Sequence, residues 1–505
     1  MLGAAGFGLL SFSFADLLYF ERGGEVHSPA VSEGDRLVIE LPDRIYSFHI
    51  SDFRKRVPGF DPAGEVAGRF RQARAAGQPA RHAAVWWAIE NGQIEPAAEE
   101  LRKLHEEEPR HAPTSRMIAA LDALSRPCTD PDLGPFRKAL RVPMDATRGP
   151  HIVLLHQRDA REAEHRVALL ERVITGYYLF FAAQGIELTP PARRLVVAWF
   201  NEKDDYLTFL RTQDAAVFST TRGYFHPTWN AVVGYDARST ERQETGHQAT
   251  AARRDELRRF RETVERMPPR SRLRVALTGE PSRTLGKNQA LELAVRLDRE
   301  IDREELLLDL ERRAIDEGTA AHEMIHLLAA NSGLLPRHDA FPRWLQEGLA
   351  MQFELIRGGR WAGIGRAHDL RLPDWRRIQP PPPLEPLVRD RDFNRGYQRD
   401  AYAQAWSLVY YLRDRHPAKF LTFLDLLRSP DTSLAELPAS DRSLSAFRRA
   451  FGDDLVGLEH NWNTFMSSMR TPLEQNAPPA SPGGSPAPPD PGLARPAPRR
   501  SPQLR

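Results

Sequence analysis

The stretch His322-Glu323-Met324-Ile325-His326 constrains this chain more than any other. Residues four apart share a face only on a helix, so the spacing demands one. Its two imidazoles can then close on a single zinc ion while Glu323 faces that ion's open side. The flanks support a helix of this kind: Thr319 can cap it after a break at Gly318, and Met324, Ile325, Leu327 and Leu328 bury one side. Asn331-Ser332-Gly333 ends it. The opposing reading is a chance spacing on a structural helix, since the chain has 16 histidines. A second stretch weighs against chance. Phe341-Pro342 places proline at a first helical turn, Leu345, Leu349 and Phe353 form an apolar stripe, and Glu347, Met351 and Glu354 share another face.

His-Glu-x-x-His followed by Trp344-x-x-Glu347-Gly348-x-Ala350 resembles the gluzincin metallopeptidases. That resemblance implies one catalytic Zn²⁺ with His322, His326 and Glu347 as ligands and Glu323 as general base. Glu347 lies slightly further along than in the gluzincin aminopeptidases. More closely, the span from about 145 to 470 resembles a bacterial family of peptidase-like proteins catalogued as domain of unknown function 1570. The fold implied is α+β, a thermolysin-like domain with a zinc helix and a helical C-terminal subdomain.

Two further residues follow from the same resemblance. In Gly396-Tyr397-Gln398-Arg399-Asp400-Ala401-Tyr402, Tyr402 matches the tyrosine that hydrogen-bonds the oxyanion in gluzincin aminopeptidases. A tetrahedral intermediate needs such a donor because its developing charge is shared incompletely by a metal. Glu354 matches an acidic residue that would hold a ligand histidine in the right tautomer; the opposing readings are a half-buried aromatic and an exposed helix glutamate. The Gly-x-Met-Glu-Asn signature that captures a substrate's free amine is absent, which argues against a simple aminopeptidase.

The 505 residues, with 41% apolar and 27% charged content, can build more than one core. A net charge of +2, with basic and acidic residues interleaved, gives no footprint for nucleic acid. The single cysteine, Cys128, excludes an internal disulfide and a cysteine-based zinc site. No run is long and apolar enough to span a membrane. The apolar segment 1–22, with Ser13-Phe14-Ala15 before Asp16, reads as the core and cleavage site of an export signal that lacks its positive start. The expected location is the periplasm, cell envelope or outside; a buried N-terminal element in a cytoplasmic protein is the alternative.

Five further segments follow. Residues 23–60 read as a small β element, a hairpin of 36–41 and 45–50. Residues 61–127 are helical, with one tetratricopeptide-like pair around Gly92, Ala97, Leu101, Leu104 and Pro109 after a helix carrying Trp86 and Trp87. One pair is too short for a solenoid, so packing against the next domain is expected, with a protein partner as the sharper reading. Residues 128–149 read as a linker with one short helix. Residues 150–470 form the peptidase-like domain, and 471–505 a disordered proline-rich tail. Within the domain, strands are expected at 151–156, 194–200, 217–224 and 230–235, the last being the edge beside the active-site helix where substrate backbone would add. A solvated helical excursion at 237–270, a helix pair over 287–316 and a loop over the cleft at 357–386 complete the expectation.

The function expected is zinc-dependent hydrolysis of peptide bonds, on a peptide or protein substrate. The rival is a catalytically silent, zinc-stabilised peptide- or protein-binding module on a peptidase scaffold.

Overall fold

The computed structural model describes residues 15–475 apart from 22–24, 42–43, 59–61, 336–340, 382, 392, 394–397 and 472–473. The expected tail from 476 onward, most of the signal-like segment, and Tyr397 lie outside the described residues.

The N-terminal β element is larger than one hairpin. β1 (Ala15–Phe20) pairs antiparallel with both β2 (Glu25–Pro29) and β6 (Phe53–Pro58). A second sheet orders β3 (Val31–Glu33), β4 (Arg36–Glu40) and β5 (Ile45–His49), with Leu37 opposite Phe48 and Ile39 opposite Tyr46. Period-two alternation sends these four side chains inward, where they meet Leu18, Phe20 and Val26 of the first sheet. The apolar run at the start of the chain thus enters a strand at residue 15.

Four helices follow where one pair was expected: α1 (Pro62–Ala76), α2 (Gln78–Glu90), α3 (Ile94–Glu107) and α4 (Ala112–Leu124), each packed on the next. Ile94, Ala97, Leu101 and Leu104 line the buried stripe of α3. The whole of 61–127 is helical, as expected, but divides into four helices rather than one marked pair. Their core is continuous with that of the next domain.

The segment read as a linker holds α5 (Gly134–Leu140) and β7 (Asp145–Arg148). β7 is one edge of a five-stranded sheet. β8 (Ile152–His156) precedes the long helix α6 (Ala160–Ala183), and β9 (Leu195–Phe200) precedes α7 (Lys203–Thr212). β10 (Gly223–His226) and β11 (Ala231–Tyr235) complete the order β10-β11-β9-β8-β7, in which β11, β9 and β8 run parallel and both edges antiparallel. Every residue of β8, β9 and β11 is buried. Alternate side chains go to the two faces: Leu154, Val197 and Val232 toward α6, Leu155, Ala198 and Val233 toward α5 and α7. A strand buried on both faces belongs inside a sheet. The expected edge, 230–235, is therefore interior, and the edge is the short β10; residues 216–218 form a 3₁₀ turn before it.

α8 (Glu241–Glu265) is followed by a hairpin of β12 (Arg272–Val275) and β13 (Arg283–Gly286) and then by α9 (Lys287–Asn331), a single helix of 45 residues. At 1.5 Å per residue it runs about 67 Å. Three clusters bury successive parts of it: Leu293, Leu297 and Ile301 pack on α8, Leu306 enters the β-element core, and Ala320 to Leu328 enter the main core. The expected helix pair and the break at Gly318 do not occur. Gly318 sits mid-helix because a Cβ there would come within 2.9 Å of the Glu354 backbone oxygen. The glycine signals close approach of another chain segment rather than a helix start.

α10 (Arg343–Ala350) leads through β14 (Ile356–Arg357) and β15 (Arg360–Trp361) to α11 (Arg371–Arg377) and α12 (Leu384–Val388), so the expected loop is partly structured. α13 (Gln398–Arg415), α14 (Pro417–Arg428), α15 (Thr432–Ala435), α16 (Ala439–Phe451) and α17 (Leu455–Ser468) form the helical C-terminal part. Helix and strand segregate into an α+β molecule. No helix among the described residues is long and apolar enough to cross a membrane.

Candidate metal centre

Helix periodicity puts His322 and His326 one turn apart on α9, and α10 brings Glu347 to the same point. His322 Nε2 lies 3.0 Å from Glu347 Oε2 and 3.2 Å from His326 Nε2, while His326 Nε2 lies 3.6 Å from Glu347 Oε2. Ligand bonds of about 2.0–2.2 Å in tetrahedral geometry separate neighbouring ligand atoms by about 3.3–3.5 Å. The triangle therefore fits one ion, and two imidazoles with one carboxylate make a donor set suited to a divalent metal. Small residues let α10 come close. A Cβ at Gly348 would fall 2.7 Å from the Ala405 backbone oxygen of α13, so the glycine next to the third ligand seats α10 against that helix.

Glu354 lies behind His322 and accepts from its Nδ1 at 2.7 Å. Burial would lower the His322 imidazole, but Glu347 and Glu354 push it up to about 10. The Glu354 bond keeps a proton on Nδ1, so Nε2, which faces Glu347 and His326, is the nitrogen a metal would take by displacing its proton. Glu354 Oε1 also accepts from His368 Nε2 at 3.0 Å and from Arg371 Nε at 2.9 Å. His368 is itself fixed: its Nδ1 accepts from the backbone N–H groups of Leu370 and Arg371, so its proton is on Nε2. Burial would raise the Glu354 carboxyl, but Arg371 and the two imidazoles hold it well below the usual range. Glu347 is likewise lowered against the effect of burial, chiefly by His326. The sequence reading missed His368 and Arg371. They lie in the Gly- and Pro-rich stretch, where no periodicity marks a side chain as inward.

Glu323 is buried, and burial pushes its carboxyl up against the pull of His322 and His326. The Phe225 backbone N–H of the edge strand β10 also favours its charged form. β10 approaches α9 closely enough that a Cβ at Gly223 would meet Thr319 at 3.0 Å and Glu323 at 3.3 Å. The base candidate thus sits between the imidazoles and a sheet edge.

Tyr402, on α13, presents its ring 6.5 Å from that of His322, centroid to centroid. Burial, then Glu347 and Glu323, raise its hydroxyl, while Arg343 and Arg371 pull it down. Among the described residues no group hydrogen-bonds that hydroxyl. All six residues singled out in the sequence, His322, Glu323, His326, Glu347, Glu354 and Tyr402, meet in one place.

Residues 316–430 match the family model described as "Protein of unknown function (DUF1570)", the family that the sequence resembles. The match covers the C-terminal part of α9, α10, the Glu354 and His368 segment, and all of α13. No curated protein matches the chain, and no solved structure does.

Proposed function

We propose that the protein is a zinc-dependent metallopeptidase of gluzincin type. The observation that carries the reading is Glu323: a buried carboxyl with a raised proton affinity, beside three ligand atoms whose spacing fits one tetrahedral ion. His322, His326 and Glu347 would hold zinc. A bound zinc ion polarises a carbonyl and lowers the pKa of a coordinated water.

Glu323 is the group in reach to take a proton from the attacking water and return it to the leaving amine. Burial raises its proton affinity, which favours taking that proton. Tyr402 is the donor for the developing oxyanion, since its hydroxyl stays protonated and has no competing partner among the described residues. The free side of β10 supports the substrate: this strand has a neighbour only in β11 among the described residues, so its outward backbone groups can pair with an extended peptide. Glu354, with His368 and Arg371 behind it, holds His322 in the ligand tautomer.

The test is digestion of a proteome-derived peptide library by zinc-loaded protein, read by mass spectrometry, with Glu323→Gln and Tyr402→Phe alongside. Cuts are expected from wild type, none from Glu323→Gln with zinc retained, and turnover lowered about 10- to 100-fold by Tyr402→Phe. Wild-type protein that holds zinc, binds peptides and cuts none of them would favour a silent binding module.

A further inference from the structure

Beside Tyr402 the charge of the site changes sign. Glu323, Glu347 and Glu354 surround the imidazoles, whereas Tyr402 faces guanidinium groups. Arg371 lies with its central guanidinium carbon 5.7 Å from the Tyr402 ring centroid. Phe393 meets Tyr402 edge to face at 5.7 Å, and the Arg343 guanidinium lies 5.6 Å from the Phe393 ring. Two arginines therefore bracket an aromatic pair at the metal centre.

Among the described residues neither guanidinium is fully used. Arg371 spends only its Nε on Glu354, and its two terminal nitrogens have no partner among the described residues. The exposed Arg343 uses its backbone N–H on Asp390, whose carboxyl also feels the guanidinium charge, but that guanidinium forms no close ion pair among the described residues. Holding Glu354 explains one nitrogen of Arg371 and nothing of Arg343. A guanidinium with free terminal nitrogens matches a carboxylate in a two-point fork, and the aromatic faces fix its plane.

We infer that the Tyr402 side of the site selects a substrate bearing a carboxylate near the bond to be cut, taken by Arg371 and Arg343. This rests on the peptidase reading. The carboxylate has two sources, a peptide's C-terminus or an Asp or Glu side chain.

The test is binding, measured by calorimetry on the zinc-loaded Glu323→Gln chain, so that no turnover is needed. The probes are one peptide sequence with Glu or Gln at successive positions, each with a free or amidated C-terminus. At least one carboxylate is expected to bind about tenfold more tightly than its neutral counterpart. Arg343→Gln in the same background should bring that ratio close to one. A preference tied to the free terminus assigns a terminal carboxylate; one that follows Glu assigns a side chain. Equal binding of acidic and neutral forms, no binding of any peptide, or a preference surviving both Arg343→Gln and Arg371→Gln would overturn the inference. Acid-selective binding without cleavage by the wild type would overturn the peptidase reading alone, and cleavage without acid selectivity this inference alone.

Discussion

Glu354 connects a loop with the candidate metal centre through single atoms: one oxygen to His322 and the other to His368 and Arg371. Removing it leaves His322 free to rotate and to carry its proton on the wrong nitrogen. Glu354→Ala is expected to weaken zinc binding about 10- to 100-fold, measured by competition with a chromophoric chelator. Unchanged affinity would show that His322 is held by packing alone. At this scale the sequence was most legible where helical spacing speaks: His322, Glu323 and His326 share one helix, and Glu347 lies on the next, whereas Glu354, beyond the end of α10, was marked only by the resemblance. His368 was not legible, because its inward orientation depends on two N–H groups at the start of α11 rather than on any periodic pattern.

Gly318 reads as a helix boundary in the sequence, yet it lies inside α9 to admit the backbone oxygen of Glu354. Gly318→Ala would gain about 1 kcal/mol of helix propensity but costs about 1–3 kcal/mol in overpacking against a backbone atom that cannot swing away. A net loss of stability in denaturant unfolding is expected, together with weaker zinc binding; a more stable variant would contradict the close packing. His151, at the start of β8, ties three elements together. Its Nδ1 pairs with Glu171 Oε2 of α6 at 2.6 Å, and its Nε2 meets the Leu124 oxygen at the end of α4 at 2.9 Å. Burial lowers its pKa, but Glu171 outweighs burial and leaves it raised above 6.5. A group raised in the folded state stabilises fully below its unfolded pKa, and that contribution is lost as pH rises through the folded value. The difference in Tm between wild type and His151→Gln should therefore be largest near pH 5.5 and shrink toward pH 9. A difference independent of pH would mean that His151 acts only by packing. The strand order, by contrast, was hidden: β11 was legible as a strand, but the strand expected at 217–224 begins only at Gly223, and the complete burial of β11 marks it as interior.

Across the whole molecule one core runs from Val66 in the four-helix segment through the sheet and α9 to Met466 in α17. The four-helix segment meets the site segment backbone to backbone. The Ile364 N–H donates to the Glu90 oxygen at 2.9 Å, and a Cβ at Gly92 would meet the Trp361 oxygen at 2.8 Å. Ten residues separate Ile364 from Glu354, so the turn between α2 and α3 braces the segment that carries the metal-supporting carboxylate. Such long-range fit leaves no mark on local sequence patterns, so the sequence led to an expectation of packing against the next domain but not of where the contact falls. What the fold assembles, from α9 and α10, is a set of three ligand atoms able to hold one ion. The most direct measurement is metal content by mass spectrometry together with X-ray absorption at the zinc edge, on wild type, His326→Ala and Glu347→Ala. The expected result is one zinc per chain with two nitrogen ligands and protein oxygen, lost or strongly reduced in both variants. A wild-type protein without zinc after loading, or full zinc content in either variant, would contradict the metal centre itself.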